Sequence, residues 1–367
     1  MKKFDVLVIG SGPVGLLTAH VFAKHFNNIG LITPSLVNTH DYFDRALGLS
    51  YGSLRRLADF DIDLNKGAII NRVEFKHQHQ LSSSLDAERL RVPLLGKNIM
   101  ISDLIELLES QIASSVSKII GRVIRIQDYH DGWKIILISG EEIFTRYLIG
   151  ADGINSLVRK ELNFEFENYH DFKQSAWVLT INHPSKKIPT TAYQIGAEEL
   201  LIGLLPLNET QSSVVITGAT HHVTEKQQES LSAFTKYLKN ILPNDYLMDS
   251  LTFRQEALVD LKTFHVKNQA GPNHLLIGLA AKSFHPAAAM GFNQTIYELA
   301  LINQFLSRPG RKKDFSWAQN FTNLTSYRCQ MIRAVTATLA SRWSRELLNY
   351  LTFPIKKMTN QFAELLA

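Results

Sequence analysis

Residues 4–15 read Phe4-Asp5-Val6-Leu7-Val8-Ile9-Gly10-Ser11-Gly12-Pro13-Val14-Gly15 and lie near the start of a chain of 367 residues. The apolar run 6–9 is typical of a buried parallel strand, and an apolar helical pattern follows the last glycine. The three glycines are spaced G-x-G-x-x-G. In such a turn the first permits a sharp bend, the second lets a diphosphate approach the backbone, and the third lets the helix pack closely. The stretch predicts a strand–turn–helix unit and favours a dinucleotide site over a glycine turn without a ligand.

The second predicted strand, residues 29–32, lacks the acidic residue that such a site usually has at its end. An aspartate or glutamate there would accept hydrogen bonds from ribose hydroxyls. Thr33 stands in its place, and its hydroxyl can form a hydrogen bond but cannot act as a charged bidentate acceptor. We therefore expect a weakened ribose contact at Thr33.

Composition places the chain among ordinary globular proteins. Hydrophobic residues make up 45% and charged residues 20%, which at this length predicts two domains. Cys329 is the single cysteine, so a disulfide framework and a zinc site built on several cysteines are excluded, and a core role is favoured over a nucleophile. The net charge of +5 comes from scattered basic residues, and we expect no nucleic-acid partner.

The two ends of the sequence bear on location. Lys2-Lys3 leads directly into the first strand, which does not suit a signal peptide, and no apolar run approaches the roughly 18 residues that span a bilayer. We expect a cytoplasmic protein. Residues 343–357 interleave apolar and basic side chains, which fits either an interfacial helix with peripheral membrane contact or an amphipathic helix packed on the first domain.

Two polar residues outside the glycine turn are candidate ligand contacts, and each has a structural alternative. Arg45 precedes a short apolar run and would contact a cofactor or form a surface ion pair with Asp44 or another acid. Asp152 follows the predicted strand 147–149 in the sequence Gly150-Ala151-Asp152-Gly153. It would cap the next helix or accept a hydrogen bond from a ligand.

The middle of the chain predicts helices and a second sheet. Ser102 is expected to cap a helix over 102–112, and Ser53 a helix over 54–57. Asp131-Gly132 predicts a hairpin, whereas 90–92 suggests a weak strand. Residues 165–262 are rich in alternating β-patterns and predict an inserted antiparallel sheet, with one helix over 224–241.

A second strand–loop–helix unit begins at His274. Its apolar strand leads into Gly278, Leu279 and a loop of small residues, which suits a flat ligand lying against the backbone. The loop continues through His285-Pro286 to Gly291-Phe292-Asn293, where Asn293 is expected to open a helix that runs to about Leu306. His285 could be a general base, but before a proline we interpret it as structural.

Four segments, Gly10-x-Gly12-x-x-Gly15, Arg45–Ser50, Gly150–Gly153 and Gly278–Asn293, stand in one order. Together they resemble the FAD-dependent aromatic hydroxylases of the para-hydroxybenzoate hydroxylase type, and most of all the ubiquinone-biosynthesis hydroxylases. The resemblance implies an α/β fold with a glutathione-reductase-like FAD-binding Rossmann domain, an inserted antiparallel sheet and a helical C-terminus. The implied boundaries are 1–164 and 263–310 for the FAD domain, with 62–94 partly in the substrate layer, 165–262 for the substrate domain and 311–367 for the C-terminal segment.

The resemblance implies a monooxygenase that hydroxylates a hydrophobic phenolic or other aromatic ring with FAD, NADPH or NADH, and O₂. Because the flavin carries the chemistry, no catalytic side chain and no metal site are implied. The implied cofactor-binding residues are Gly10, Gly12, Pro13, Val14, Gly15, Thr33, Arg45, Asp152, Gly278, Pro286, Gly291, Phe292 and Asn293.

Several positions depart from the family pattern. Thr33 replaces the ribose-binding acid, Ser102 a flavin-contacting arginine, Leu279 the acid of a Gly-Asp pair, and Ala289-Met290 a Gly-Gln pair. These departures leave two alternatives open. One is a degenerate homologue that acts as a non-catalytic accessory subunit of a biosynthetic complex, and the other is a related flavin reductase or halogenase.

Overall fold

The computed structural model has a mixed α/β architecture. It describes residues 2–34, 44–77, 80–112, 114–182, 189–242, 253–286, 289–309 and 314–341. Within these ranges the chain forms three β-sheets and nine α-helices. The segment 343–357, for which an interfacial helix is one prediction, lies outside the described residues.

The first sheet has seven strands and is mostly parallel. Its strands are β1 Lys2–Ile9, β2 Ile29–Thr33, β8 Val116–Ile120, β9 Val123–Tyr129, β10 Gly132–Leu137, β11 Glu142–Gly150 and β17 His274–Leu276. The order is β8-β2-β1-β11-β10-β9, and β17 pairs in parallel with the end of β11. The predicted hairpin at Asp131-Gly132 is confirmed, since β9 and β10 are antiparallel neighbours.

The sheet is buried on both faces, as the apolar runs in its strands predict. Val6 and Val8 of β1 pack with helix α1, Pro13–Ala23, whereas Leu7 and Ile9 belong to a second core on the opposite face. Helices α4 (Ile101–Gln111) and α8 (Met290–Leu306) also pack against α1, and α5 (Leu157–Glu161) packs on the other face.

The second sheet has eight strands. They are β5 Arg72–His77, β6 Gln80–Asp86, β12 Phe166–Asn182, β13 Thr191–Ala197, β14 Leu200–Pro206, β15 Gln211–Ala219, β16 Phe253–Val266 and β18 Lys282–Ser283. The order is β18-β16-β12-β15-β14-β13-β5-β6, antiparallel except for the β13–β5 pair. Helices α6 (Thr220–Gln228) and α7 (Leu231–Ile241) bury one face of this sheet.

The single helix expected over 224–241 is wrong, because the chain breaks it into two. Ser230 has extended backbone, and its hydroxyl accepts a hydrogen bond from the Ala233 N–H at 3.2 Å. This serine cap starts α7 afresh. The resulting bend lets both helices lie on the curved sheet.

The third sheet is small and has the order β3-β7-β4. Its strands are β3 Ala46–Ser50, β7 Gly96–Met100 and β4 Ala68–Ile70, and α2, Tyr51–Asp59, follows β3 directly. Ser50 rather than Ser53 caps α2, accepting from the Ser53 N–H at 3.2 Å. The strand expected over 90–92 is also wrong, because α3 spans Ala87–Leu90 and Arg91 is left-handed with φ 56°.

Helix α9, Ala318–Ser341, follows α8 and packs against it. Aromatic rings at and before its start pack in the first core. Phe315 stacks on Tyr147, and Trp317 stacks on Phe305 and contacts Phe315 and Phe321. Within the part of the chain described here, no helix is long and apolar enough to cross a bilayer.

Candidate cofactor site

The candidate site lies where four strands of the first sheet end. Gly10 follows β1, Thr33 ends β2, Asp152 comes shortly after β11, and Gly278 comes shortly after β17. Because these strands are parallel, their carboxyl ends meet at one edge of the sheet, which is where ligands bind in open α/β sheets. The sheet therefore brings together residues from four widely separated predicted segments.

The three glycines of the first turn have different surroundings. Gly10 has φ 115°, and a Cβ there would lie 2.4 Å from the Ala151 carbonyl oxygen and 2.9 Å from the Asp152 nitrogen. A Cβ on Gly15 would lie 1.7 Å from the Gly10 carbonyl oxygen. By contrast, a Cβ on Gly12 would meet nothing within 4 Å. Gly10 and Gly15 are therefore needed by the protein itself, whereas Gly12 borders open space in which a ligand fits.

Helix α1 presents an uncapped N-terminus to that space. Gly12 is its N-cap residue, Pro13 occupies the first turn, and no side chain caps the helix. The first turn carries no acidic residue, so the amide groups near Val14 and Gly15 and the helix dipole are available to an anion. A diphosphate group fits this arrangement.

Gly278 closes the site from the side of β17. It has φ 64°, and a Cβ there would lie 2.9 Å from a side-chain methyl group of Val14. Leu279 follows within a short 3-10 turn and is 38% exposed. The apolar side chain that replaces an acid in the family pattern thus remains partly in solvent beside the start of α1.

One carboxylate oxygen of Asp152 accepts hydrogen bonds from the start of α5, and the other accepts none from the described residues. Its Oδ2 accepts from the Leu157 N–H at 2.7 Å and the Val158 N–H at 3.1 Å, which ties it to α5. Its Oδ1 is buried and has no hydrogen-bond partner among the described residues. A buried carboxylate oxygen without a partner is unfavourable, so this atom fits a hydroxyl group of a ligand. The structure is compatible with both predicted roles of Asp152.

Thr33 is tied to the glycine turn. Its Oγ1 accepts a hydrogen bond from the Ser11 hydroxyl at 2.8 Å, and both residues are buried. The contact links the end of β2 to the turn after β1. It was not predicted, because the partner lies 22 residues away and a serine hydroxyl carries no local signal for it.

Arg45 supplies a positive charge that the described protein does not neutralise. Burial lowers the pKa of its guanidinium, and among the described residues none forms a hydrogen bond or ion pair with it. Asp44, the partner considered in the surface alternative, instead accepts from Ser102 through both carboxylate oxygens, at 3.0 Å from the amide and 2.6 Å from the hydroxyl. An unpaired, partly desolvated cation fits an anionic group of a ligand.

The same contact corrects the role expected of Ser102. Helix α4 begins at Ile101, with Met100 as its N-cap residue and no side-chain cap. Ser102 is therefore inside the helix, and Asp44 binds the first turn from outside. The favourable position of a carboxylate at a helix N-terminus explains the arrangement.

Asn293 joins α8 to β3. Its amide nitrogen donates to the Gly48 carbonyl at 2.8 Å and the Ala289 carbonyl at 2.7 Å, and its Oδ1 accepts from the Ser50 N–H at 2.9 Å. Helix α8 begins at Met290, three residues earlier than expected. Because the side chain is used within the protein, Asn293 would shape the ring site by holding β3 in place.

The residues around Asn293 leave backbone exposed. Pro286, Ala289 and Gly291 are exposed, and a Cβ on Gly291 would meet nothing within 4 Å. Ala289 is left-handed with φ 49°. Phe292 packs against the first core. This surface suits a flat ring that contacts backbone atoms.

His285 is held against the second sheet. One ring nitrogen lies 3.1 Å from Gln174 Oε1, and its ring packs edge-on against Phe172 at 5.0 Å between centroids. Burial lowers the pKa of His285 to about 4. A neutral, buried imidazole in contact with protein groups agrees with the structural interpretation.

The described residues contain no group of three or more histidine, cysteine, aspartate or glutamate side chains arranged to hold a metal ion. Cys329 is buried, and burial raises the pKa of its thiol to about 11. The open space at Gly12, the orphaned Asp152 oxygen and the unpaired Arg45 instead fit a dinucleotide with a diphosphate and hydroxyl groups.

Comparison with protein families agrees with this assignment. Residues 126–308 match the family described as FAD binding domain. The chain is 27% identical over 311 residues to the ubiquinone hydroxylase UbiM of Neisseria meningitidis, covering 79% of this chain and 65% of UbiM. It is 26% identical over 240 residues to the mitochondrial ubiquinone biosynthesis monooxygenase COQ6 of Rattus norvegicus, covering 56% of this chain and 50% of COQ6. The chain thus spans between half and two thirds of the length of these relatives.

The fold is shared with a solved structure. PqsL of Pseudomonas aeruginosa, crystallised with 2-aminobenzoylacetate, superposes with a TM-score of 0.81 at 14% identity, covering 96% of this chain and all of that chain. The resemblance to FAD-dependent aromatic hydroxylases, and FAD as the cofactor of this domain, are thereby confirmed.

Proposed function

We propose that this protein is an FAD-dependent monooxygenase that hydroxylates a hydrophobic phenol or related aromatic ring with NADPH or NADH and O₂, as a step in ubiquinone biosynthesis. The observation that carries the proposal is the open space at Gly12 beside the uncapped start of α1, at the same sheet edge as the buried Asp152 Oδ1. Arg45 adds a cation that is unpaired among the described residues. Relatives named as ubiquinone hydroxylases support the substrate class.

Bound FAD would supply the redox and oxygen chemistry, which no protein side chain can provide. The turn at Gly12 and the start of α1 would hold its diphosphate, and Asp152 Oδ1 would accept from a hydroxyl. The guanidinium of Arg45 would balance negative charge, while Pro286, Gly291 and the Asn293 clamp would orient the ring system. The second sheet, which contacts the ring site through Gln174 and His285, would help to exclude water.

The second sheet offers an uncharged surface for the substrate. Trp177 and Leu179 of β12 pack under α6 and α7, so the alternate residues face the other way. Two adjacent register rows of that opposite face carry the uncharged residues Thr180, Ser213, Leu205, Val178, Val215 and Gly203. We infer a neutral substrate, without a carboxylate, held by apolar contact.

Ser213 is the candidate polar contact on that surface. It is 1% exposed, and within the described ranges its buried hydroxyl has no hydrogen-bond partner. A phenolic hydroxyl would satisfy it, since a serine both donates and accepts. Gln174, on the same face of β12, contacts His285, which directly precedes Pro286 of the proposed ring site. This contact supports a position of the surface beside the proposed flavin ring.

We also propose the domain arrangement implied by the family. The FAD-binding domain would comprise 1–164 and 263–310, with 62–94 partly in the substrate layer. The inserted sheet would be the substrate domain, 165–262. The proposal is supported by separate cores for the first sheet and for the α6–α7 face of the second sheet.

An accessory subunit is the second candidate, and Leu279 favours it. An exposed leucine occupies the position at which an acid would accept a hydrogen bond from a ribityl hydroxyl. In addition, Thr33 already accepts a hydrogen bond from Ser11. Both features weaken FAD binding relative to the family pattern. A related reductase or halogenase would retain FAD but produce no hydroxylated ring.

The decisive experiment combines FAD titration with oxygen uptake. NADPH or NADH is added to FAD-loaded protein together with a neutral alkylated phenol, and the product is analysed for an oxygen atom from ¹⁸O₂. We expect labelled hydroxylated product, and less of it from a carboxylated phenol. Absence of FAD binding indicates the accessory subunit, FAD reduction without labelled product indicates a reductase, and a halogenated product in the presence of halide indicates a halogenase.

Peripheral membrane contact is a separate proposal that rests on the sequence of 343–357. Apolar residues are interleaved with a few basic ones there, which would bring a lipid-soluble substrate close to the protein. Sedimentation with anionic vesicles tests it, comparing the full chain with a chain truncated after Arg342. Equal binding of the two proteins rules out this role and leaves the helix packed on the first domain as the explanation.

A further inference from the structure

A fully buried ion pair joins Lys282 and Glu298. The two side chains are 2% and 0% exposed, and the Lys282 ammonium donates to Glu298 Oε1. Burial alone would lower the pKa of Lys282. The adjacent Glu298 carboxylate and the Cys329 thiol together raise it by more, so the net direction is upward. The charged form of the Lys282 ammonium is therefore favoured in the core.

The pair connects the two sides of the proposed ring site. Lys282 lies in β18, immediately before residues 284–286, and Glu298 lies two turns into α8, after residues 289–293. We call these two stretches the flanks of the ring segment. An interaction between 282 and 298 therefore brackets both flanks, while Asn293 fixes the second flank to β3.

The network extends to α9. Gln294 donates to Glu298 Oε1 at 2.8 Å, and its own Oε1 accepts from Arg328 Nε at 2.9 Å. Cys329 Sγ lies 3.7 Å from the Lys282 ammonium nitrogen. Two consecutive residues of α9, Arg328 and Cys329, thus contact the two ends of the hydrogen-bonded series Gln294–Glu298–Lys282.

The energetics do not explain the pair by stability alone. Removing two charges from water costs several kcal/mol per ion, and well-packed apolar residues of similar volume are often equally stable or more so. In addition, Glu298 Oε2 is buried and has no partner in the part of the chain that the structure describes. An apolar core would not have this unfavourable feature. What the pair provides and an apolar contact does not is a single orientation of β18 relative to α8.

We propose that Lys282, Glu298 and Gln294 are positioning residues that hold the two flanks of the ring segment in register and make α9 a support for the flavin-ring site. The inference rests on the proposed function, because it takes these flanks as the ring site. Arg328 stacks on Tyr297 at 4.1 Å, and Arg56 of α2 lies over the same ring at 5.3 Å. These contacts join α9 and α2 to the same side chain of α8.

The test uses Lys282→Met/Glu298→Gln, which removes both charges and nearly preserves volume, so that no single charge is left buried. The matched control is Lys66→Met/Glu106→Gln, since that ion pair has side-chain exposures of 45% and 70%. A third variant, Gln294→Met, removes the hydrogen bonds of Gln294 to Arg328 and to Glu298 and keeps the ion pair. It remains informative if the double variant does not fold.

Three measurements are made on each folded variant. They are the melting temperature, the hydrogen exchange of the flanks 284–286 and 289–293 in the protein without cofactor, and FAD titration with the visible circular dichroism of the bound flavin. We expect a melting temperature close to wild type, at least tenfold faster exchange in the flanks, at least tenfold weaker FAD binding and an altered flavin spectrum. Gln294→Met should show smaller changes of the same kind, and the control none.

Unchanged exchange in the flanks of folded variants overturns the inference, as does a uniform increase in exchange over the whole chain, which would indicate a role in stability alone. Failure of the proposed function is seen separately, as wild-type protein that binds no FAD. Exchange measured without cofactor still tests the positioning role in that case.

Discussion

Gly12 and Gly15 lie three residues apart in one turn, and substitutions at the two should have opposite consequences. Gly12 has φ −70° and ψ 178°, which any residue adopts, and a Cβ there meets nothing within 4 Å. Gly12→Ala and Gly12→Val should therefore change the free energy of unfolding by only about 1 kcal/mol, because a poorer helix cap is partly offset by a stiffer unfolded chain. Gly15→Ala places a Cβ 1.7 Å from a backbone oxygen and should cost roughly 3 kcal/mol or more.

FAD binding should follow the reverse logic. The Cβ of a residue at position 12 enters the space assigned to the diphosphate and separates it from the amides of α1. Loss of one charge-assisted hydrogen bond is worth about 1.5–3 kcal/mol, or roughly 10- to 100-fold in affinity. Gly12→Val should thus keep its melting temperature and lose FAD affinity.

Thermal unfolding followed by circular dichroism gives the stability, and quenching of flavin fluorescence gives the dissociation constant. The matched pair separates a ligand-binding glycine from a packing glycine within one turn. A Gly12→Val protein that binds FAD as tightly as wild type would refute the assignment of this space to the diphosphate. A Gly15→Ala protein that melts like wild type would refute the packing argument.

Two further predictions concern the other side of the site. Leu279→Asp should tighten FAD binding by about tenfold or more, because the carboxylate can accept from a ribityl hydroxyl; weaker binding in the same fluorescence titration would contradict this. Burial lowers the pKa of His285 to about 4 in the folded protein. As pH falls, the unfolded chain therefore binds a proton at this residue before the folded protein does, and stability should be lost between pH 6.5 and 4. Between pH 7 and 4.5 this loss is about 2 kcal/mol, and urea unfolding of His285→Gln should lack it; equal pH dependence in the two proteins would contradict the burial argument.

The sequence predicted those parts of the fold whose signals are local. The apolar run 6–9, the glycine spacing after it and the Asp131-Gly132 turn each specify a conformation within a few residues, and all three are present. Competing local signals led to errors. Two serines compete to cap α2, and Ser50 rather than Ser53 does so.

The parts that were missed depend on partners far along the chain. Ser102 contacts Asp44 across 58 positions, and Asn98 donates to the Pro206 carbonyl across 108. Lys282 follows Ala280 and Ala281, and Glu298 lies on the buried side of α8, 16 positions further along the chain. Their pairing, however, is set by the packing of β18 on α8, which no local pattern encodes.

Two different strands pair with the same edge of strand β11, each with a different part of its length. Residues 142–145 pair with β10, whereas Leu148, Ile149 and Gly150 pair with β17. The Gly150–Leu276 pair joins residues 126 positions apart. At about 5–20 residues per second of synthesis, the carboxyl end of β11 emerges roughly 6 to 25 s before its second neighbour exists. During that interval the nascent chain exposes an unpaired apolar edge beside the glycine turn, so we expect folding of this unit to finish late and to depend on protection from aggregation until β17 arrives.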